Sequence, residues 1–480
     1  MSPALPSPGR ILMLTLLLAL PGLARSGGEP AARPHPDPLV QRKLDWFQDQ
    51  KLGLLMHWGT YSQWGVVESW SICPEDEDWT RRRGPHAHSY TEYVAAYEAL
   101  KATFNPLKFD PAAWAAAARG AGMRYVVFTT KHHDGFCLFD TRETDYKVTD
   151  PGCPFSRVPR ANVAREVFTA FRREGLGTGA YFSKADWHCP DYWWPYFPPF
   201  DRNVNYDITR YPEKWEAFKT FTRNQIRELM SDYGPMDILW LDGGWVQPMT
   251  ATSPRWGKAP SHQDIDMAGI AAMARALQPG LIIVDRAVEG DHQDYHTPEQ
   301  EVPEQPLDAV WESCITLGTS WSWVPDDDYK SAERLVHLLV DIVAKGGNLL
   351  LNVGPSPQGE WPDEALARLA ELGAWLEVNG AAIHGTRAVA PYKEGRVCYT
   401  RSPDGVVNAI LLASAAEPEL PATLHLPAFV PGSGQAVRLL GVEEELRWEP
   451  EGAGCRIHVP EAVRRHPPCR HAWSFQLAVE

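Results

Sequence analysis

Residues 238–244 read Ile238-Leu239-Trp240-Leu241-Asp242-Gly243-Gly244, four large apolar side chains followed by one carboxylate and two glycines. A short apolar run bounded by turn residues is the signature of a strand buried on both faces. The carboxylate at its end marks the point where the chain leaves the sheet. Comparable runs, rich in β-branched residues or Leu, recur at 53–58, 125–130, 177–183, 281–285, 309–314, 348–353 and 381–384, which gives eight candidate strands. Between them, helical periodicity spans 111–120, 164–174, 212–233, 263–277, 331–345 and 363–379, with Gly380 as a helix stop. Strands alternating with helices from about residue 40 to 388 predict a (β/α)₈ barrel of the TIM type. An open doubly wound sheet fits less well, because no glycine-rich phosphate turn follows the first strand.

From residue 389 to 480 the helical signal disappears. Short strand-like runs at 397–401, 406–412, 422–426, 436–440, 455–459 and 473–479 are separated by Pro, Gly and Asp turns, which predicts a small antiparallel β-sandwich. No low-complexity linker divides the two parts, so tight packing between them is expected.

The 480 residues are 44% hydrophobic, enough to fill one large core and a smaller one. Acidic residues outnumber basic ones 61 to 46 with no basic stripe, which speaks against a nucleic-acid partner. The 20 Trp admit two readings, since indoles stack on sugar rings and also fill cores. At the N-terminus, Arg10 precedes an apolar run at 11–20, then Pro21, Gly22 and small residues at 24–28, so residues 1–26 read as a cleaved secretory signal. No later stretch is long and apolar enough to span a membrane. Eight Cys are compatible with disulfides in an oxidising compartment, but their spacing fixes no connectivity and no pair has zinc-ligand spacing. The chain contains no Asn-x-Ser/Thr sequon.

In such a barrel the chemistry sits at the C-terminal ends of the strands. There the sequence concentrates polar groups: His57-Trp58-Gly59, Lys131-His132-His133-Asp134-Gly135, Tyr181-Phe182-Ser183, Trp240-Leu241-Asp242-Gly243, Asp285-Arg286 and Trp311-Glu312, with Trp321 and Trp323 beyond. His57 taken alone reads more readily as a hydrogen-bonded structural histidine than as a ligand. His132 and His133 suggest a metal site, but neighbours in an extended segment point to opposite faces, so hydrogen bonding to hydroxyl groups suits them better and no metal or cofactor is expected. Asp242 could be a turn residue before Gly243, yet its place at the end of an apolar strand favours a catalytic carboxylate.

The strings His57-Trp58-Gly59, Thr129-Thr130-Lys131-His132-His133-Asp134-Gly135-Phe136 and Trp240-Leu241-Asp242-Gly243 resemble glycoside hydrolase family 29, the retaining α-L-fucosidases. The barrel-plus-sandwich organisation agrees with that resemblance from about residue 40 to the end. The resemblance implies that Asp242 is the nucleophile and that His57, His132, His133, Tyr181, Trp240 and Arg286 line a fucose pocket. The family's Glu-Trp pair corresponds to Glu68-Ser69-Trp70, with one residue inserted. Trp70 or Trp321 would offer an apolar surface to the sugar's methyl group. The acid/base is implied at Glu299, in Thr297-Pro298-Glu299-Gln300, with Glu289 as the rival. The Thr-Pro-Glu-Gln string resembles the subgroup acting on branched α-1,3/α-1,4 fucosides, so the expected partner is a fucosylated oligosaccharide or glycoconjugate. Two other readings remain open: another retaining exo-glycosidase on the same barrel, and a carbohydrate-binding protein without catalysis.

Overall fold

The computed structural model describes residues 34–75 and 80–479; the signal segment expected at 1–26 lies outside the described residues. A helix α1 (Pro38–Gln50) leads into seven parallel strands: β1 (Leu52–Met56), β2 (Tyr125–Lys131), β3 (Gly177–Ser183), β4 (Ile238–Asp242), β5 (Ile282–Asp285), β6 (Glu312–Thr316) and β7 (Asn348–Val353). They curl into a sheet of order β5-β4-β3-β2-β1-β7-β6, whose strands are buried along almost their whole length. Helices α2 (Tyr90–Glu98) and α3 (Pro111–Gly120) follow β1. Helices α4 (Val163–Arg173), α5 (Pro212–Asp232) and α6 (Met267–Leu277) follow β2, β3 and β4, and α7 (Ala332–Ala344) and α8 (Asp363–Asn379) follow β6 and β7.

Several of these helices start where the sequence supplies a side-chain cap. Asp110 accepts from the amides of Ala112 and Ala113 ahead of Pro111, and Ser331 accepts from Arg334. On α4, Val163, Ala164, Val167, Phe168, Ala170 and Phe171 recur at helical spacing and are all buried against the barrel.

Strand residues alternate between two cores. Leu55, Tyr125, Val127, Tyr181, Ile238, Trp240, Ile282, Val284, Cys314 and Leu350 fill the barrel interior. Their neighbours, among them Leu54, Val126, Ala180, Leu239, Ile283 and Leu351, face the helices. This period of two fixes which side chain reaches the mouth of the barrel.

The barrel is closed differently from the sequence expectation. The run at 381–384 is not an eighth strand: Gly380–Ala382 form a tight helical turn that ends α8, with Gly380 still right-handed. Closure between β5 and β6 comes instead from residues 292–300, an irregular stave without a helix of its own. On the β5 side, the Asp285 amide donates to the His292 carbonyl (2.8 Å) and the Asp294 amide to that of Ile283 (3.0 Å). On the β6 side, the Glu312 amide donates to the His296 carbonyl (2.9 Å) and the Gln300 amide to that of Cys314 (3.0 Å). Backbone groups on both flanks are thereby paired, as closure requires.

The C-terminal part packs a six-stranded antiparallel sheet against a three-stranded one. The larger sheet contains β8 (Arg387–Glu394), β9 (Val397–Arg401), β10 (Val407–Leu412), β12 (Val437–Leu439), β13 (Glu445–Leu446) and β16 (Ala472–Leu477). The smaller contains β11 (Thr423–Leu426), β14 (Trp448–Glu451) and β15 (Gly454–His458). Tyr399, Leu424, Ile457 and Phe475 lie in the core between the two sheets. It is joined to the barrel by the Trp375 indole donating to the Ala472 carbonyl (2.9 Å) and by Lys393 paired with Asp341 (3.0 Å). All eight Cys are free and seven are buried, so the disulfides that their even number allowed are absent. Among the described residues, no helix is long and apolar enough to cross a membrane.

At Gly373 the backbone of α8 presses on the Gly120 carbonyl at the end of α3, leaving no room for a β-carbon. Gly373→Ala is therefore expected to destabilise the barrel by about 1–3 kcal/mol through overpacking, read as a lowered Tm in thermal unfolding. An unchanged Tm would show that the two helices part without cost.

Candidate active site

Inward parity carries the sequence's polar strand ends to one place. His57 continues the inward series after Leu55, Asp242 follows Ile238 and Trp240, Arg286 follows Ile282 and Val284, and Asn352 follows Leu350. The result is a cavity of about 390 Å³ at the C-terminal mouth of the barrel. His57, Glu68, Trp70, His132, His133, Tyr181, Trp240, Asp242, Arg286, Glu299 and Trp321 all line it, as do Arg202, Trp245 and Trp256, which the sequence reading left out. Glu289 is exposed and lies outside the cavity lining. Arg202 sits in the long loop after β3, and Trp245 and Trp256 in the loop after β4; the unusual Trp content was the one signal that pointed to such residues.

Asp242 is taken almost wholly out of water, with 14% of its side chain exposed. Burial would raise its pKa, but the Arg286 guanidinium and the Tyr181 hydroxyl hold it well below the ordinary carboxylate range. The Tyr181 hydroxyl donates to Oδ2 (2.6 Å), while Arg286 Nη1 (3.1 Å) and the Gly243 amide (2.8 Å) donate to Oδ1. Arg286 Nη2 is paired with the Glu299 carboxylate. One guanidinium thus bridges two carboxylates, one nitrogen to each. Its plane is also set by the Trp240 ring, 5.1 Å below. Beneath Trp240, the buried Glu312 accepts from the Trp240 indole (3.4 Å) and from the hydroxyls of Tyr295 (3.2 Å) and Tyr125. Burial, only partly offset by those three donors, raises its carboxyl to about 7.

The three histidines are neutral. Burial lowers His57 to about 4 and His133 to about 3, and lowers His132 well below the usual imidazole value. Hydrogen bonds fix two tautomers. The Asn352 amide nitrogen donates to the Trp321 carbonyl (2.7 Å), so its oxygen faces His57, whose Nδ1 must carry the proton (2.8 Å). The Ser183 hydroxyl gives its one proton to the Ala185 carbonyl (2.7 Å), so it accepts from His133 Nδ1 (2.6 Å). Each ring is left with an acceptor nitrogen at Nε2, which is what a hydroxyl-bearing ligand needs.

The expectation that His132 and His133 point to opposite faces is corrected. β2 ends at Lys131, and the Gly135 amide closes a turn onto the His132 carbonyl (3.1 Å), with Gly135 in the left-handed region that glycine tolerates. The two rings therefore lie side by side with centroids 4.2 Å apart. With Asp242 they offer ligand atoms within 4.8 Å of one another, a spacing that could hold a cation and equally a pair of hydroxyls.

Two buried ion pairs support this layer. Lys184, just past β3, reaches Asp285 at the end of β5 and the Val246 carbonyl (3.0 Å), spanning the β4 end that carries Asp242. Lys131 is paired with Asp186 (2.9 Å), whose other oxygen accepts from the amides of His188 and Cys189.

Glu68 is buried, and burial together with the charge of Glu299 pushes its carboxyl up to about 8 against the bonds from Ser322. A folded pKa above the unfolded value means that stability from this group is complete below pH of about 4.5 and is lost as pH rises to about 8. Glu68→Gln is expected to flatten the fall in Tm across that window; an unaltered slope would reject the assignment.

Residues 27–381 match the family described as alpha-L-fucosidase, and residues 392–478 match the alpha-L-fucosidase C-terminal domain. An alpha-L-fucosidase of Branchiostoma floridae is 28% identical over 98% of this chain and 99% of its own length. The human plasma alpha-L-fucosidase is 28% identical over 90% and 89%. Among solved structures, alpha-L-fucosidase isoenzyme 1 from Paenibacillus thiaminolyticus superposes with a TM-score of 0.74 at 30% identity, covering 92% of this chain and all of that one. The Thermotoga maritima alpha-fucosidase in complex with a mechanism-based inhibitor gives 0.69 at 27% identity, covering 93% and 100%. A barrel with inward polar strand ends, a sandwich behind it and matches along both parts leave one assignment: the chain belongs to the α-L-fucosidase family, glycoside hydrolase family 29.

Proposed function

We propose that this α-L-fucosidase releases terminal α-L-fucose with retention, with Asp242 as nucleophile and Glu299 as acid/base. The observation that carries the reading is the Arg286 bridge, which brings both carboxylates into one cavity. Retention needs two carboxyl groups about 5–5.5 Å apart, one to attack the anomeric carbon and one to move the proton. Asp242, ionised and oriented by three donors, attacks C1, and the glycosidic oxygen leaves with a proton from Glu299. Water then attacks the glycosyl ester, gives its proton to Glu299 and frees Asp242. Glu299 has to leave Arg286 to reach the glycosidic oxygen. Its partly exposed side chain, 44% accessible, leaves room for that movement.

The sugar contacts follow from the same geometry. Nε2 of His57 and of His133 would accept from ring hydroxyls, and Glu68, His132 and Trp70 surround the same space. Leu55, Trp240 and Trp321 supply apolar surface for the C6 methyl. The Thr-Pro-Glu-Gln string around Glu299 supports branched α-1,3/α-1,4-fucosylated oligosaccharides or glycoconjugates as substrates. The apolar run at 11–20 supports export after cleavage of residues 1–26.

Asp242→Asn is expected to lower kcat on p-nitrophenyl α-L-fucoside by about 10³-fold or more while the Tm stays near that of the parent. Glu299→Ala should lose natural-substrate turnover, keep activated aryl fucosides and regain rate with azide. Activity surviving in Asp242→Asn would move the nucleophile elsewhere, and failure of azide rescue would do so for the acid/base. A parent that binds fucose without cleaving any fucoside would identify a lectin-like role.

A further inference from the structure

Glu312 opens β6 as a fully buried carboxylate with no part in the double displacement. It lies outside the cavity lining, beneath Trp240. Its donors come from three pieces of chain: Tyr125 from the start of β2, Trp240 from β4, two residues before Asp242, and Tyr295 from the closing stave, four residues before Glu299. Tyr125 binds Oε2, whereas the Trp240 indole (3.4 Å) and the Tyr295 hydroxyl (3.2 Å) share Oε1. One oxygen thus stands between the strand that carries the nucleophile and the segment that carries the acid/base.

The two carriers are not held alike. Asp242 sits in a parallel ladder, with Ser183 opposite it on β3 and Leu241 opposite Asp285 on β5. Around Glu299 the backbone bonds run to one side: His296, Pro298 and Gln300 are bonded to β6 or to the residues leading into it, while toward β5, among the described residues, the bonds stop at Asp294. The Arg286–Glu299 pair does not replace them, because Glu299 must leave Arg286 to protonate the glycosidic oxygen. Packing places the Tyr295 ring on Phe47, with centroids 4.4 Å apart, and its hydroxyl then ties the stave across the barrel interior to Oε1, and through that oxygen to Trp240. A buried hydrogen bond has no water to take its place when broken, so it holds its partners in one geometry.

We propose that Glu312 is a positioning residue: its Oε1 sets the stave against β4 and so fixes where the Glu299 carboxyl stands relative to Asp242. Glu312 touches neither the sugar nor the reacting atoms and acts through Tyr295. Asp242 keeps its own ladder and donors. Loss of the tie therefore falls on proton transfer, and not on nucleophilic attack or on sugar binding by the histidines. This deepens the fucosidase reading and rests on it.

The test measures kcat/KM on phenyl α-L-fucoside, whose leaving group needs the proton, and on p-nitrophenyl α-L-fucoside, whose leaving group needs it far less. Tyr295→Phe keeps the stacked ring and removes only the hydroxyl. It should lower the phenyl-to-p-nitrophenyl ratio about tenfold and leave the inhibition constant of free fucose unchanged. Glu312→Leu should lower the ratio likewise, and the double variant should lose no more than the larger single loss, because both act through one contact. Glu312→Gln, which keeps an acceptor for Tyr295 and can turn its amide nitrogen to the Tyr125 hydroxyl, should hold the parent ratio. A ratio unchanged in Tyr295→Phe, equal losses on both substrates, or losses that multiply in the double variant would overturn the positioning role. Glu299→Ala run in parallel tests the reading beneath it: a ratio that does not fall in that variant would remove Glu299 as the acid/base.

Discussion

A carboxylate removed from water has to be compensated on the spot, because the cost of stripping its hydration runs to several kcal/mol. Asp242 meets that condition with a guanidinium, a phenol and a backbone amide, none of them from its own strand. Arg286 comes from the end of β5, Tyr181 from β3, and the Gly243 amide from the turn that follows β4. Three pieces of chain must therefore converge within hydrogen-bonding distance, and much of the surrounding construction serves that convergence. Lys184 and Asp285 lock the flanking strand ends, Trp240 and Tyr181 stack at 5.2 Å, and Glu312 anchors Trp240 from below.

The charge balance of the cavity follows. Arg286 faces two carboxylates, while the imidazoles are kept neutral by burial and turned by Ser183 and Asn352 so that their lone pairs look inward. A charged imidazole would compete with Arg286 for Asp242 and would present a donor where an acceptor is wanted. Neutral rings keep the cation that pairs with Asp242 on one side and leave the opposite side for hydroxyl groups.

Much of this was legible from residues alone, because strands buried on both faces leave unbroken apolar runs and polar residues at their ends. Runs 177–183, 238–242 and 348–353 coincide with β3, β4 and β7. The reading failed where local pattern and tertiary role part company. Ala382 and Ile383 are apolar because they are packed under a turn, not because they pair. The stave at 292–300 has backbone partners on both flanks but no apolar periodicity, and Pro298 interrupts it. β8 is obscured by Pro391 and charged residues on an edge strand. His132 and His133 were misdirected because a turn at Gly135 ends the alternation one residue early, and Arg202 and Trp256 because loops of such length carry no period at all.

The stave that closes the barrel has a consequence for how such a protein can change over generations. In a regular strand, one inserted residue turns every later side chain to the opposite face and is purged. Residues 292–300 are held by a few scattered backbone bonds and support no helix, so lengthening or shortening the segment leaves the neighbouring strands in register. A residue inserted there would shift Glu299 along the chain without moving Asp242, which is held in a full ladder between β3 and β5.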